Sequence, residues 1–401
     1  MLNGKTVLLG VTGSIAAYKI ANLARMLKKL GADVHVLMTK NAENFINPIT
    51  FETLTQNKCL IDTFDRNFEY SVEHVALAKK ADVVMVAPAS ANVIGKIAGG
   101  IADDMLTTTV MACPCKKIIA PAMNHNMYHN PIVADNIKKL ESYGYIIAGP
   151  EKGMLANGDT GDGKMISEDA LLEYILREIA CEKDLENERV LITAGATIEP
   201  IDPVRYITNH STGKMGMALA YAAILRGADV TVIKGKTTVD APMFAKVIEA
   251  TSAEDMYNAV MGAAVDADII IKAAAVADFT PETIAENKIK KSDSDMQLSL
   301  CRTKDILKEI GKTKKDGQFV CGFSMETENL LENSRKKLES KNIDMICANS
   351  LTDAGAGFGG DTNIVTVITK TAGEQLPKLS KLDTAHAIFD RILDIRGKDK
   401  K

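Results

Sequence analysis

Leu27-Lys28-Lys29-Leu30-Gly31-Ala32-Asp33-Val34-His35-Val36-Leu37 reads as the end of a helix, a glycine that stops it, and the start of a strand. The pattern returns in the second half of the chain as Ile224-Leu225-Arg226-Gly227-Ala228-Asp229-Val230-Thr231-Val232-Ile233. Each copy follows an apolar run, 6–10 in one case and 190–193 in the other. Each also precedes a further run opened by Ala-Asp: Ala81-Asp82-Val83-Val84-Met85-Val86 and Ala267-Asp268-Ile269-Ile270-Ile271. Runs that are apolar at consecutive positions are strands buried on both faces, and such strands alternating with helices build parallel sheets. The repeat therefore predicts an α/β protein of two tandem, doubly wound, Rossmann-like domains with mostly parallel sheets. An amphipathic stretch at 169–179 and the charged Cys181-Glu182-Lys183-Asp184-Leu185-Glu186-Asn187-Glu188 precede a new apolar strand at Arg189. The expected domains are 1–187 and 188–401.

The 401 residues are 46% hydrophobic and 25% charged, which excludes a disordered or fibrous chain. A net charge of −4 argues against non-specific nucleic-acid binding. No stretch is long and apolar enough for a membrane span, and the apolar start reads as a first strand, so a cytoplasmic protein is expected. Seven cysteines, an odd number in a large chain, do not make a disulfide framework. Cys113-Pro114-Cys115 is a close pair without further ligands beside it.

Open α/β sheets bind ligands beyond the carboxyl ends of their strands, so the residues just after each strand matter most. Thr12-Gly13-Ser14-Ile15-Ala16-Ala17-Tyr18-Lys19 brings a hydroxyl and a helix start together, which suits a phosphate. It lacks the further glycines of a dinucleotide fingerprint, so a mononucleotide or flavin phosphate fits better than NAD. A plain serine cap is the simpler reading of the same residues. Ser90 and Asn92 follow one later strand, and Pro121-Ala122-Met123-Asn124 follows another. His74 stands alone before a helix, where a histidine is more often structural than catalytic. The stretch 153–163 holds four glycines and reads as a flap or a loop. In the second half, Thr208-Asn209-His210-Ser211-Thr212-Gly213-Lys214-Met215 imitates a phosphate loop but lacks its leading glycine and final hydroxyl. Ala274-Ala275-Val276-Ala277-Asp278 would let a base or ribose approach the backbone. Lys288 opens a basic loop, Lys304-Asp305-Ile306-Leu307 marks a helix start, and Lys337 and Lys341 share one helix face. Together these groups suit a triphosphate, although any one of them alone reads as a surface lysine.

These segments resemble the family of bifunctional phosphopantothenoylcysteine decarboxylase / phosphopantothenate–cysteine ligases of coenzyme A biosynthesis. The resemblance covers nearly the whole chain. It is carried by Gly13 to Lys19, Pro88-Ala89-Ser90-Ala91-Asn92, Pro121 to Asn124, the flap, Asp202-Pro203-Val204-Arg205 with the run to Gly216, the 274–278 run, Lys288-Ile289-Lys290-Lys291 and Gly322-Phe323-Ser324-Met325-Glu326-Thr327. It implies an FMN-binding first domain in which the cysteine CH₂–SH is oxidised to a thioaldehyde before carbon dioxide leaves, followed by reduction to 4′-phosphopantetheine. Gly13, Ser14, Thr39, Ser90 and Asn92 match FMN-binding positions, His74 the active-site base, and Asn124 the holder of the substrate carboxylate. The second domain would join 4′-phosphopantothenate to cysteine with CTP and Mg²⁺ through an acyl-cytidylate. Asn209 matches the residue linked to that intermediate. Ala274, Ala275, Asp278, Lys288, Lys304, Asp305, Ile306, Leu307, Phe323, Lys337 and Lys341 match CTP-binding positions, with Lys288 also catalytic; no metal ligands are assigned. The family also implies small-molecule substrates, no nucleic-acid or membrane partner, and a trimer-based dodecamer. One departure stands out: Asn157 occupies the flap position where the family usually has a cysteine. The alternative it opens is a flavin- and nucleotide-binding protein with only its ligase half active.

Overall fold

In the computed structural model, which describes residues 1–63, 73–154, 158, 160–290, 296–326, 330–350 and 360–397, the first apolar run forms β1 (Thr6–Val11), buried at every position. It is followed by α1 (Ala17–Lys29), β2 (Asp33–Met38), α2 (Pro48–Thr55), α3 (Glu73–Lys80), β3 (Val83–Ala89), α4 (Ala91–Gly99), α5 (Met105–Ala112) and β4 (Lys116–Pro121). Then come α6 (His125–Tyr128), α7 (Pro131–Ser142), β5 (Ile146–Ile147), the strands β6 (Glu151–Met154) and β7 (Thr160–Lys164), and α8 (Glu168–Ile179). The sheet order is β2-β1-β3-β4-β5 and every pairing is parallel. Helices cover the sheet; Leu106, Val110, Ile94 and Ile137 pack on Leu8, Val84, Val86 and Ile119. β6 and β7 form a separate antiparallel pair.

The second unit opens with β8 (Arg189–Ala194), the antiparallel pair β9 (Ile198–Pro200) and β10 (Tyr206–Thr208), α9 (Lys214–Leu225), β11 (Asp229–Lys234), β12 (Lys246–Glu249), α10 (Ala253–Ala264) and β13 (Ile269–Lys272). It continues with the pair β14 (Phe279–Pro281) and β15 (Leu300–Arg302), then α11 (Ile306–Thr313), β16 (Phe319–Glu326), α12 (Leu330–Lys341) and β17 (Met345–Ser350). β18 (Thr362–Asn363), β19 (Val365–Thr369), β20 (Gly373–Gln375), β21 (Leu379–Ser380) and α13 (Lys381–Ile395) close it. Its eight-stranded sheet runs β12-β11-β8-β13-β16-β17-β19-β20. The first six strands are parallel, and β19 and β20 add an antiparallel edge. Separate cores fill its two faces, one around Phe389 and Leu219, the other around Met256 and Ile310.

The repeated sequence signal has a structural cause in each unit. Gly31 and Gly227 end α1 and α9 in the left-handed region, at φ +91° and +94°, which a side chain resists. The two Ala-Asp aspartates clip the start of each central strand. Asp82 accepts from the Thr6 backbone N–H at 2.7 Å and from Lys5 at 3.2 Å. Asp268 accepts from the Arg189 backbone N–H at 2.9 Å and from its guanidinium at 3.1 Å. The units are Met1–Cys181 and Glu182–Lys401. The charged stretch before β8 packs with the second of them: Leu185 is fully buried, Asp184 pairs with Arg226, and Glu188 pairs with Arg396 at 2.7 Å.

Candidate functional sites

In the first unit the turn after β1 has a cavity on either side. One, of about 490 Å³, is lined by Ser14, Asn124, Tyr18, Met154 and Gly163. The other, of about 470 Å³, brings Gly13, Thr39, Ser90 and Asn92 together. Thr12, fully buried, ties the two strand ends: its hydroxyl donates to the Pro88 carbonyl at 2.6 Å and accepts from the Ser90 N–H at 3.0 Å. No side chain caps α1; its start is turned by backbone bonds instead, the Ala17 N–H donating to the Ser14 carbonyl at 3.0 Å and the Lys19 N–H to the Ala16 carbonyl at 3.1 Å, while Ser14 Oγ accepts from the Ala16 N–H at 3.3 Å. Asn124 caps α6 by accepting from the Asn126 N–H at 2.9 Å, and the Met123 N–H donates to the Gly163 carbonyl at 3.0 Å, which stitches β7 to the turn. Ile15, Tyr18 and Met154 are exposed beside it, a surface suited to a flat apolar ring. His74 sits in the first turn of α3, half-buried, and lines neither cavity. Asn157 lies outside the described residues.

In the second unit a cavity of about 480 Å³ collects Ala274, Asp278, Lys304, Asp305, Ile306, Leu307, Phe323 and Lys341. A second, also about 480 Å³, shares Ala274, Val276, Asp278 and Phe323 with it and adds Asn209 and Ala275. Asn209 donates to the Ala275 carbonyl at 3.2 Å. The tiny-residue run is held by buried hydroxyls: Thr193 accepts from the Ala274 N–H and Thr197 from the Ala277 N–H, both at 3.0 Å. Asp305 caps α11 and pairs with Lys341 at 2.9 Å. Burial pushes its carboxyl upward, but Lys341 and the Lys308 N–H outweigh that and hold it below the usual range. Lys304 turns to Glu254 at 2.6 Å and lies over the Tyr257 ring.

Two expected residues stand apart from both cavities. Lys288 is exposed, and the backbone beside it is pinned: the Ile289 N–H donates to Asp202 at 3.1 Å and Arg205 donates to the Ile289 carbonyl at 2.8 Å. Arg205 also pairs with Asp202, whose carboxyl it holds far below the usual range. Lys337 is half-buried one turn before Lys341. Two further residues escaped the sequence reading. Lys272 lines the first cavity at the end of β13, and burial pulls its ammonium pKa down to about 8. Asn349 lines the second at the end of β17. Both follow apolar runs, the signal that selected Ser90 and Asn124.

Among the described residues, two buried side-chain oxygens have no hydrogen-bond partner: Thr39 Oγ1 and Asn349 Oδ1. One lines a candidate cavity in each unit. Buried polar atoms are nearly always paired, so an orphan in a cavity wall marks a place for a ligand atom.

The flavoprotein family model matches residues 1–180, and that of the DNA/pantothenate metabolism flavoprotein C-terminal domain matches 185–395. The chain is thus a flavoprotein unit joined to a DNA/pantothenate-metabolism unit. It is 47% identical to the Coenzyme A biosynthesis bifunctional protein CoaBC of Bacillus subtilis (strain 168), covering 98% of this chain and 97% of that one. Against the proteins of the same name from Vibrio vulnificus (strain YJ016) and Escherichia coli (strain K12), identity is 42% (99% of each chain) and 37% (98% and 97%). A solved C-terminal domain of a protein of that name is 38% identical, covering 54% of this chain and 100% of its own, with a TM-score of 0.47. The chain belongs to the family of coenzyme A biosynthesis bifunctional proteins. Among its described residues no helix is long and apolar enough to cross a membrane.

Proposed function

We propose that the second unit ligates 4′-phosphopantothenate to cysteine with CTP, and that the first unit decarboxylates the product to 4′-phosphopantetheine with FMN. The observation that carries this reading is the pair of partnerless oxygens, Thr39 Oγ1 and Asn349 Oδ1, each in the wall of a cavity that gathers the residues the family pattern selects. The relatives' shared name supports the pathway and the double activity.

A carboxylate is a poor electrophile. In the ligase unit the 4′-phosphopantothenate carboxylate attacks the α-phosphorus of CTP, pyrophosphate leaves, and an acyl-cytidylate results. The cysteine amine then attacks the acyl carbon, CMP departs and the nitrogen loses a proton. Lys272, Lys304 and Lys341 offset the triphosphate charge, the α11 start offers free amides, and the 274–277 backbone admits the nucleoside. Lys288, on its pinned loop, assists activation, and Asn209 acts on the acyl-cytidylate. Mg²⁺ accompanies CTP and neutralises its phosphates; Asp278 is the cavity carboxylate with no described ion pair.

In the flavoprotein unit the residues fit a flavin mononucleotide: the positive end of the α1 dipole beside Ser14 for a phosphate, the orphaned Thr39 hydroxyl, and exposed apolar side chains for a ring. FMN, when bound, supplies a reversible two-electron acceptor. Asn124 orients the substrate carboxylate and His74 moves a proton in the oxidation or decarboxylation step. Asn157 has no thiol to ionise, so the last protonation falls to another donor, Asp159, Asp162, Lys164 or water. The competing reading, an active ligase beside a crippled decarboxylase, rests on that same amide. Assembly into the family's trimer-based dodecamer and a cytoplasmic location belong to the proposal.

The ligase half-reactions are separable by mass spectrometry after a single turnover without cysteine. Lys288→Gln should form no acyl-cytidylate, whereas Asn209→Asp should accumulate it. The intermediate appearing in the Lys288 variant would overturn both roles.

A further inference from the structure

His125 and His129 belong to none of the roles above, and Asp162 only to the short set of candidate proton donors, yet the three converge. One donor atom from each lies within 4.8 Å of the others. His129 Nε2 stands 2.9 Å from an Asp162 carboxylate oxygen. His125 Nδ1 faces the Asp162 backbone N–H at 3.1 Å, and the two rings meet edge to face with centroids 4.4 Å apart. The histidines are one helical turn apart, the spacing that puts two imidazoles on one side of a helix to share a metal. Asp162 comes from β7, a different element. Gly161 makes the approach possible, because a Cβ there would sit 2.8 Å from His125 Nδ1.

We propose that these three residues form a binding site for a divalent transition metal of the Zn²⁺ type. Two imidazoles and one carboxylate, with a fourth position left to water, are a donor set for that ion. Zinc–ligand bonds of about 2.0–2.1 Å place tetrahedral donors roughly 3.3 Å apart. The His129–Asp162 pair is already near that spacing, and the third donor closes by a small ring movement. On binding, the metal takes the His125 Nδ1 lone pair in place of the Asp162 amide hydrogen and enters between His129 and Asp162.

The position gives the site a consequence. His125 directly follows Asn124, and Asp162 directly precedes Gly163, whose carbonyl accepts from the Met123 N–H. A metal held here fastens the β6–β7 pair to the turn that carries Asn124. The inference does not depend on the decarboxylase reading, since its readouts are metal content and protease resistance.

The experiment uses the untagged full chain, stripped with chelator, incubated with equimolar Zn²⁺ and desalted. Metal is counted by elemental analysis and affinity measured by competition with a chromophoric chelator. Wild type should retain one zinc per chain. His129→Ala and Asp162→Asn should each weaken binding about tenfold or more. His210→Ala, which removes an exposed histidine of the second unit, should retain the ion. Zinc should also slow proteolysis between β6 and β7 in wild type and not in the two ligand variants. No retained zinc, or equal retention in all four proteins, would overturn the site. Retention without protection would overturn the fastening. His129 is exposed, and circular dichroism of each variant separates a lost ligand from a lost fold.

Discussion

Asp82 in the first unit and Asp268 in the second do the same thing, each clipping the start of a central strand, and each unit stops its first helix with a left-handed glycine. The frames are alike; the residues beyond the strand ends are not. After β1, β3 and β4 stand hydroxyls and amides with exposed Ile15, Tyr18 and Met154 beside them. After β13, and around the start of α11, stand Lys272, Lys304 and Lys341. The first surface suits a flat ring with one phosphate; the second suits a triphosphate. Ligand chemistry is thus set by a few residues at the carboxyl edge, while the strands carry only the frame.

His74 offers the sharpest way to break this comparison, because it lies outside both cavities of its unit. If it serves as the base, His74→Asn should lower decarboxylation about 10²–10⁴-fold with flavin content unchanged. A wild-type rate would remove it from the mechanism and leave the unit's chemistry to its cavity residues.

Lys272 sharpens the other side. With a pKa near 8, it is cationic below that pH and neutral above it. CTP binding should therefore weaken as pH rises through about 8. Lys272→Met should bind CTP about tenfold more weakly at pH 7, on the order of one lost charge-assisted contact, and should lose the pH step. An unchanged step in the variant would assign it to another group.

The smallest effect tests the shared frame. Asp268 is held below the usual carboxylate range, first by its hydrogen bond to the Arg189 side chain. A depressed folded pKa contributes stability above the unfolded pKa and loses it as pH falls through the folded one. Asp268→Asn should cost about 1 kcal/mol near pH 7 and progressively less below about pH 4, measured by urea unfolding. A penalty independent of pH would mean that the backbone bond alone matters.

The frame was legible because strands buried on both faces are apolar at consecutive positions, as at Ile269-Ile270-Ile271. The antiparallel turn of the sheet at β19 and β20 is not legible: Ile364-Val365-Thr366-Val367-Ile368 is apolar like the parallel strands and carries no mark of its direction, and the exposed Gly373-Glu374-Gln375 carries no apolar run at all. Ser14, Asn124 and the 274–278 run were found by looking just past strands. Lys272 stands at the same strand end as the 274–278 run, where a lysine reads as a strand's charged edge until burial in a cavity wall marks it, and Asn349 ends β17, whose place beside that cavity is set by the sheet order. The position of Lys288 depends on bonds from Asp202 and Arg205, more than eighty residues earlier in sequence, and no local pattern reports these. The His125–His129–Asp162 cluster likewise needs two elements brought together by the fold.

The most direct test of the two-activity account is to give the purified chain 4′-phosphopantothenate, cysteine, CTP and Mg²⁺ and follow the products by mass. The account predicts 4′-phosphopantothenoylcysteine with stoichiometric CMP and pyrophosphate, then its conversion to 4′-phosphopantetheine with loss of carbon dioxide. Accumulation of 4′-phosphopantothenoylcysteine alone, or of a decarboxylated product two mass units lighter than 4′-phosphopantetheine, would contradict a complete decarboxylase in the first unit.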